Sequence, residues 1–303
     1  MIARLQQAWV VCGVLALALW CAWAWPRSPL LAGAGVAMPC LGFMLLMGWE
    51  FAWMHRANAQ EDVPRARTAQ VWRAWWAEMG AALRVFGWRQ PFRSHAHPDW
   101  CPPAQPGRSP RGVVLVHGFQ CNRAVWQPWF APLRAGGHAH VAVNLEPPFG
   151  SIDGYAALID AAVQRVTAAT GRAPVLVCHS MGGLAARAWL RAFGADARVH
   201  RVITLGTPHG GTLLAEWGYT PNGRQMRCAS PWLAALQADE GAARARLFTC
   251  WYSNCDNIVF PARTAVLPGS KPRFIAGVAH VQMALHPQVI DACLQELAGD
   301  GAD

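Results

Sequence analysis

Residues 175–190 hold the strongest constraint on the fold, because an apolar, β-branched run stops at Ser180 and a helical pattern begins directly after it. The run Val-Leu-Val-Cys-His before Ser180 predicts a buried strand, and Leu-Ala-Ala-Arg-Ala-Trp-Leu predicts a helix. The small residues Gly182 and Gly183 allow strand and helix to approach closely. A strand, a sharp turn and a helix in succession therefore place the Ser180 hydroxyl at the apex of a strained turn.

Short apolar runs alternate with helical segments from Gly112 onward. The alternation predicts an α/β fold, with a mostly parallel sheet and helices on both faces. In such sheets the functional residues gather at the carboxyl ends of the strands. The predicted strands are residues 113–116, 140–143, 175–178, 202–205, 247–252 and 274–278, and helices are predicted over residues 152–169 and 181–193.

Residues 1–56 read as a hairpin of two transmembrane helices. Two uncharged apolar stretches, residues 8–25 and 30–49, flank the turn Pro-Arg-Ser-Pro, and only Glu50 interrupts the apolar sequence before residue 54. Tryptophans lie near the proposed ends, as interfacial anchors do. A cleaved signal peptide is the alternative, with small residues at Ala22-Trp23-Ala24. Buried core helices would need a large surrounding domain that the remaining sequence does not supply.

The arginines around the two spans predict the orientation. Arg4 precedes the first span, and four arginines follow the second within residues 56–73. The positive-inside rule then favours both ends in the cytoplasm. We therefore expect an integral protein of a bacterial inner membrane, with the α/β domain that follows the spans on the cytoplasmic side.

Residues 57–110 are predicted to hold an amphipathic helix and a linker. One apolar stripe is expected on the helix over residues 68–88, formed by Trp72, Trp75, Trp76, Met79, Leu83 and Phe86. This helix would lie in the membrane interface or pack on the α/β domain, and the pattern leaves both open. Residues 91–110, rich in Pro, Gly, Ser and Arg, are the predicted linker.

The net charge of +9 does not indicate a nucleic-acid partner. Apart from Lys271 the basic residues are all arginines, and they are scattered without a basic block. A nucleic-acid-binding domain shows a basic stripe or a reading motif, and neither is present.

A second strand end supports Ser180 as a nucleophile. The predicted strand 113–116 runs into His117-Gly118. A backbone N–H after this turn, together with the N–H of Met181, would face the serine and stabilise a developing oxyanion.

The acid and the base follow from chain order. Five carboxylates lie between Ser180 and the candidate histidines, and of these only Asp256 stands in a short loop after a strong predicted strand; the others are Asp196, Glu216, Asp239 and Glu240. His280 follows the last predicted strand, with His286 before Pro287 as its rival. The chemistry assigns proton transfer to His280, and Asp256 would orient its imidazole.

These residues resemble the α/β-hydrolase family. The strand ending in His-Gly, then Cys-His-Ser-Met-Gly-Gly, then Asp256 and His280 occur in that family's order, and Gly-Thr-Pro-His-Gly-Gly at 206–211 resembles a segment of bacterial triacylglycerol lipases and esterases. The resemblance covers about residues 111–297, within a predicted catalytic domain of residues 111–303. It implies the triad Ser180, Asp256 and His280, with the oxyanion bound by the amides of Phe119 and Met181. Cys178 departs from the family's Gly-x-Ser-x-Gly pattern.

We expect neither a cofactor nor a metal. Many bacterial lipases bind structural calcium through aspartates near the triad, but no aspartate closely follows His280, so this calcium site is not expected here. Residues 213–245 would form a lid, with Leu213, Leu214, Trp217, Trp232 and Leu233 as acyl-chain contacts or ordinary packing. Cys250 and Cys255 are close enough in sequence to pair in an oxidising compartment.

We therefore expect a membrane-anchored serine hydrolase that cleaves lipid or acyl esters through an acyl-enzyme. A thioesterase or small-ester esterase would use the same triad, because fold does not determine substrate. A non-catalytic membrane interaction protein on a hydrolase scaffold is the hypothesis from another class. Protein partners cannot be inferred.

Overall fold

A computed structural model describes residues 1–103 and 110–299. Six strands form one sheet, and helices precede, connect and follow them. The strands are Val113–Val116 (β1), His140–Val143 (β2), Val175–His179 (β3), Arg201–Leu205 (β4), Phe248–Ser253 (β5) and Lys271–Ile275 (β6). The helices are Ile2–Ala24 (α1), Pro29–Ala57 (α2), Thr68–Arg84 (α3), Gln90–Phe92 (α4), Gln127–Ala135 (α5), Ala156–Thr170 (α6), Met181–Phe193 (α7), Pro221–Gln225 (α8), Pro231–Ala238 (α9), Ala242–Ala245 (α10), His280–Leu285 (α11) and Pro287–Gly299 (α12).

The sheet is parallel throughout, with strand order β2-β1-β3-β4-β5-β6. The chain order reverses between β1 and β3, and Val116 pairs with Cys178 there. All six strands therefore present their carboxyl ends at one edge, where β1 leads to Gly118 and β3 to Ser180. Ligands of open parallel sheets bind at this edge, next to the reversal of strand order.

Alternate residues of the central strands pack into two separate cores, as expected for a sheet covered on both faces. One core joins the sheet to α6 and α7 through Val114, Val116, Leu176, Cys178 and Val202. The other joins it to α5, α11 and α12 through Val113, Leu115, Val175, Val177 and Ile203. The predicted α/β architecture with helices on both faces is confirmed.

Helices α1 and α2 are long and apolar enough to cross a bilayer, by length and composition, and most of their surface is exposed. Among the described residues, the hydrogen bonds of α1 to the domain lie near its start, and the residues of α2 that pack on the domain lie in its second half. Gln6 near the start of α1 donates to Gln90 and to the Gln120 carbonyl, and Met54 near the end of α2 is fully buried. The two helices therefore project together from the domain, and their connecting turn lies at the far end.

Helix α3 has two apolar faces rather than the single predicted stripe. Trp75 and Met79 are buried in a cluster that includes Met47 and Phe51 of α2 and Phe260 of the catalytic domain. In contrast, Trp72, Trp76 and Leu83 are 58%, 58% and 63% exposed. Helix α3 thus packs on the protein with one face and leaves a second, tryptophan-rich face uncovered. A π-helical turn, Val85–Arg89, extends it.

Two predicted segments differ from the structure. The last strand lies three residues earlier than predicted, at Lys271–Ile275, and residues 276–277 form a turn. The predicted linker 91–110 is tied to the domain over much of its described part, because Asp99 forms ion pairs with Arg123 and Arg165. Residues 104–109 of that linker lie outside the described part of the chain.

The two cysteines considered as a pair, Cys250 and Cys255, are buried free thiols. Burial raises the pKa of the Cys255 thiol to about 12. Both side chains therefore serve as small apolar groups of the core.

Candidate active site

Ser180 occupies the tight turn that its flanking sequence predicts. Its backbone has φ 56° and ψ −131°, a left-handed conformation that is strained for a residue with a side chain. The chain is held there from both sides: Ser180 N–H donates to the carbonyl of Leu205 at 2.9 Å, and Thr207 Oγ1 donates to the carbonyl of Ser180 at 2.8 Å. Thr207, in the segment 206–211 that resembles a segment of bacterial lipases, therefore supports the Ser180 turn directly.

The glycines around Ser180 are required for space. A Cβ on Gly182 would lie 2.4 Å from the carbonyl oxygen of Val116, and one on Gly183 would lie 2.3 Å from Thr207 Oγ1. Cys178, which replaces the first glycine of the family pattern, lies within β3 and packs with no exposed surface in the core beneath α7. The thiol of Cys178 therefore fits at the position where the family pattern has its first glycine.

His280 and Asp256 form a direct pair. His280 Nδ1 lies 3.0 Å from each carboxylate oxygen of Asp256, and both side chains are buried. Asp256 Oδ1 also accepts the N–H groups of Ile258 and Val259, at 3.0 and 2.8 Å. The loop after β5 thus holds the carboxylate firmly. An acceptor at Nδ1 keeps the proton on that nitrogen and leaves Nε2 free to accept one.

The surroundings of His280 favour its protonated form. Burial lowers the pKa, but the charge of Asp256, its hydrogen bond and two further carboxylates, Glu78 and Glu50, raise it above the ordinary histidine value. His179, whose ring centroid lies 4.6 Å from that of His280, is kept neutral because burial lowers its pKa well below the usual range. Its Nε2 donates to the carbonyl of His280 at 3.1 Å.

Ser180 and His280 line one cavity of about 610 Å³. Phe119 and Gln120 line the same cavity, and Met181 begins helix α7 directly after Ser180. Gly118 approaches so closely that a Cβ there would lie 2.6 Å from Ser180 Cβ and 3.1 Å from its Oγ. The turn after β1 therefore lies beside the Ser180 hydroxyl, as the sequence predicts.

His117 supports that turn without taking part in acid–base chemistry. Its Nε2 accepts the N–H of Leu145 at 3.0 Å, and its Nδ1 donates to the carbonyl of Gly118 at 2.9 Å. Burial lowers its pKa to about 4, so the ring stays neutral at physiological pH.

The four carboxylates that were not assigned to the triad lie elsewhere in the structure. Asp196 forms a bidentate pair with Arg244, and Glu240 forms one with the buried Arg187. Asp239 lies 3.7 Å from Arg191, and Glu216 lines a separate surface pocket beside Trp217. His286 ends the short helix that His280 begins, and the cavity lining does not include it.

Two carboxylates of the N-terminal helices reach this site, and the sequence reasoning missed them. Glu78 of α3 accepts the N–H groups of Val281 and Gln282, at 2.7 and 2.9 Å, and burial raises its pKa to about 7. Glu50 of α2 accepts from Asn257 Nδ2 at 2.8 Å. Glu50 stood in the sequence as the only charge within an apolar span, and such a residue indicates a functional position by default.

The predicted lid contributes little to the cavity. Only Leu214 among its five named apolar residues belongs to the lining. Trp232 donates from Nε1 to Asp153 at 2.8 Å and packs on the core, as does Leu233, and Trp217 is exposed. The cavity is walled instead by α2, by α3 and by the π-helical turn after α3, through Phe43, Met47, Glu50, Glu78, Ala82, Leu83, Phe86 and Gly87.

The sequence profile of the alpha/beta hydrolase family matches residues 113–296, from the first strand to the last helix. The chain belongs to the alpha/beta hydrolase family. The matched residues, which we call the family segment, comprise the sheet and its connecting helices and include Ser180, Asp256 and His280. No curated protein matches the chain significantly.

Solved structures with the same hydrolase fold include two lipases. A Bacillus licheniformis lipase in mature form is 18% identical with a TM-score of 0.57, over 65% of this chain and 95% of that one. Its propeptide form is 20% identical with a TM-score of 0.56, over 65% and 54%. Aspergillus fumigatus lipase B is 16% identical with a TM-score of 0.55, over 63% and 53%. The hydrolase spans about half the length of the last two chains, and the likeness is one of fold.

Proposed function

We propose that this hydrolase is a membrane-anchored serine esterase that cleaves lipid or other acyl esters through an acyl-enzyme. One observation carries the proposal: the strained Ser180 turn and His280, whose Nδ1 is paired with Asp256, line the same cavity. A nucleophile and a base in one cavity, with an acid that orients the base, are the parts that acyl transfer requires.

The roles follow from the positions. Ser180 Oγ attacks the ester carbonyl carbon while His280 Nε2 takes its proton, and Asp256 stabilises the resulting imidazolium. The amides of Phe119 and Met181 bind the oxyanion. When the tetrahedral intermediate collapses, the carbon–oxygen ester bond breaks and His280 returns the proton to the leaving alkoxide. Water, deprotonated by His280, then attacks the acyl carbon, the bond to Ser180 Oγ breaks, and His280 returns the proton to Ser180 as the acid leaves.

Membrane anchoring is the second part of the proposal. It is supported by the exposed apolar surface of α1 and α2. The contacts of Gln6 on α1 with the Gln90 side chain and the Gln120 carbonyl favour a retained anchor over a signal peptide cleaved after Ala24. The flanking arginines favour a cytoplasmic catalytic domain. Reporter fusions after Arg56 and after residue 303 test this orientation, and periplasmic signals from both would contradict it.

A fluorophosphonate probe on the full-length protein tests the chemistry. We expect wild-type protein to be labelled at Ser180 and Ser180→Ala to remain unlabelled. A folded wild-type protein that does not react would instead indicate a non-catalytic scaffold. Among active enzymes, p-nitrophenyl esters and acyl thioesters of matched chains separate the esterase from the thioesterase.

The choice of base has its own matched pair. His280→Ala should abolish turnover, while His286→Ala, which changes a histidine six residues away outside the cavity lining, should retain most of it. The reverse result would reassign the base.

A further inference from the structure

We propose that the substrate is a neutral, long-chain ester dissolved in the bilayer, and that its acyl chain lies between α2 and the segment 82–87. The membrane anchor would then form one wall of the active site rather than only tether it. This inference rests on the proposed function above and adds the substrate class and its route of entry.

The cavity wall opposite the sheet is apolar and comes from the N-terminal helices. Phe43 and Met47 are one helical turn apart on α2, and Leu83 and Phe86 come from α3 and its π-helical extension. Gly87, in the same extension, faces open space, because a Cβ there would have no neighbour within 4 Å. A cavity of about 610 Å³ with such a wall accommodates an extended apolar chain.

The position of this wall along α2 places Phe43 at the depth of the hydrocarbon core of the bilayer. Phe43 follows Pro29, the first residue of α2, by 14 positions, which is about 21 Å along a helix. A bilayer core is about 30 Å thick. The connection between α1 and α2 lies at the far interface, so Phe43 lies within the hydrocarbon. Glu50, two helical turns further along α2, reaches the near interface beside His280. An acyl chain against Phe43 thus directs its ester group toward Ser180.

The wall is also exposed on its outer side. Phe43 is 37% exposed and Leu83 is 63% exposed, although both line the cavity. Trp76 and Trp88, which precede and follow the segment 82–87, are 58% and 59% exposed. Tryptophans in such a position are typical of the membrane interface. The cavity therefore adjoins the surface that we place in the membrane.

The polar end of the cavity is unsuited to an anionic head group. Its described lining contains the carboxyl groups of Glu50 and Glu78 but no lysine or arginine. A phosphate near the scissile ester would be desolvated beside these carboxyl groups, with no lysine or arginine of the described lining to pair with it. A neutral acylglycerol avoids this cost.

A photoreactive inhibitor tests the position of the acyl chain directly. The probe is a long-chain alkyl fluorophosphonate with a diazirine near the end of the chain, applied to the full-length protein in phosphatidylcholine vesicles. The Ser180 Oγ–P bond forms, the P–F bond breaks, fluoride leaves and the serine proton passes to His280. Photolysis then joins the chain end to its neighbours, which mass spectrometry identifies.

We expect most crosslinks in residues 41–50 and 82–89. Crosslinks mainly in residues 213–245 would overturn the inference while leaving the serine chemistry intact. Absence of labelling at Ser180 in folded protein would instead overturn the proposed function, and this inference with it.

A pair of glycine variants provides an independent measure. A Cβ on Gly87 or on Gly80 finds nothing within 4 Å, and only Gly87 lines the cavity. In Gly87→Phe the ratio of kcat/KM for palmitoyl over butyryl esters should fall by about tenfold or more, the size of effect typical of filling an apolar pocket. Gly80→Phe should leave the ratio unchanged. Equal ratios in the two variants would overturn the inference.

The head group is tested with lipids of identical acyl chains in the same vesicles. We expect diacylglycerol to be cleaved faster than phosphatidic acid. Phosphatidic acid cleaved at an equal or higher rate would overturn the proposed substrate class.

Discussion

Glu78 Oε1 accepts a 2.7 Å hydrogen bond from the N–H of Val281, the residue that follows the candidate base. A second bond, from Gln282 N–H to Oε2, makes this contact bidentate. One buried carboxylate on α3 thus holds the start of the helix that carries His280. It also raises the pKa of the His280 imidazole through its charge. The amphipathic helix outside the family segment is therefore coupled to the site both mechanically and electrostatically.

Glu78→Gln should shift the pH profile of ester hydrolysis. The base acts as neutral imidazole, so activity is lost as the pH falls through the pKa of His280, which lies above its ordinary value. Removing the Glu78 charge lowers that pKa, and the acidic limb of kcat/KM should move to lower pH. The remaining carboxylates facing His280, Asp256 and Glu50, stay in place. The profile is measured with a soluble butyryl ester.

Stability supplies the second readout for Glu78→Gln. The amide keeps one acceptor oxygen, so one buried N–H loses its partner, and the free energy of unfolding should fall by about 1–3 kcal/mol. The matched control is Asp62→Asn on the exposed segment before α3. In the pH profile, an acidic limb of kcat/KM that moves to higher pH, or does not move, would contradict the electrostatic role of Glu78.

Thr207→Val should slow the reaction of Ser180 with a fluorophosphonate. The buried hydroxyl of Thr207 donates to the carbonyl of Ser180, and valine removes this bond while keeping the side-chain volume. The strained turn then loses one of the hydrogen bonds that hold the Ser180 backbone, at a cost of about 1 kcal/mol or more in stability. Thr207→Ser retains the donor and should react like wild type. Equal labelling rates in all three proteins would contradict this role.

The fully buried strands and the nucleophile turn could be predicted from the sequence, because a buried parallel strand shows a continuous apolar run. Strands β1 and β2 lie where they were predicted, at Val113–Val116 and His140–Val143. The edge strand β6 was misplaced by three residues for the same reason. Lys271, Pro272 and Arg273 are exposed and carry no apolar pattern, so only pairing with β5 defines that strand.

The wall of the cavity could not be predicted, because it depends on contacts between distant parts of the chain. Glu78 lies on an amphipathic helix, where a carboxylate normally faces water. It is buried only because α3 packs against α11, about 200 residues later in the chain. The single apolar stripe expected on α3 divides for a related reason. Trp75 faces α2 and the domain, and Trp76 faces outward.

Gly118→Ala should abolish activity by crowding the nucleophile. An added Cβ would lie 2.6 Å from Ser180 Cβ and 3.1 Å from its Oγ, so the serine or the turn after β1 must move. Displacing an oxyanion donor costs about 10²–10³ in kcat, and we expect a loss of at least that size. Gly154→Ala, where an added Cβ meets nothing within 4 Å, is the control. Near-normal activity in Gly118→Ala would show that this turn does not form the oxyanion site.

Glu240→Ala should be among the most destabilising substitutions on the catalytic domain. Arg187, only 1% exposed on α7, is paired with Glu240 at 2.6 and 2.8 Å and also donates to the carbonyl of His209 at 3.0 Å. Removing the carboxylate leaves an uncompensated buried charge, which costs about 3–5 kcal/mol. Asp239→Asn, whose side chain is 58% exposed, should cost far less. Urea denaturation of the two variants measures the difference. Similar midpoints would mean that the Arg187 charge is stabilised by other groups around α7.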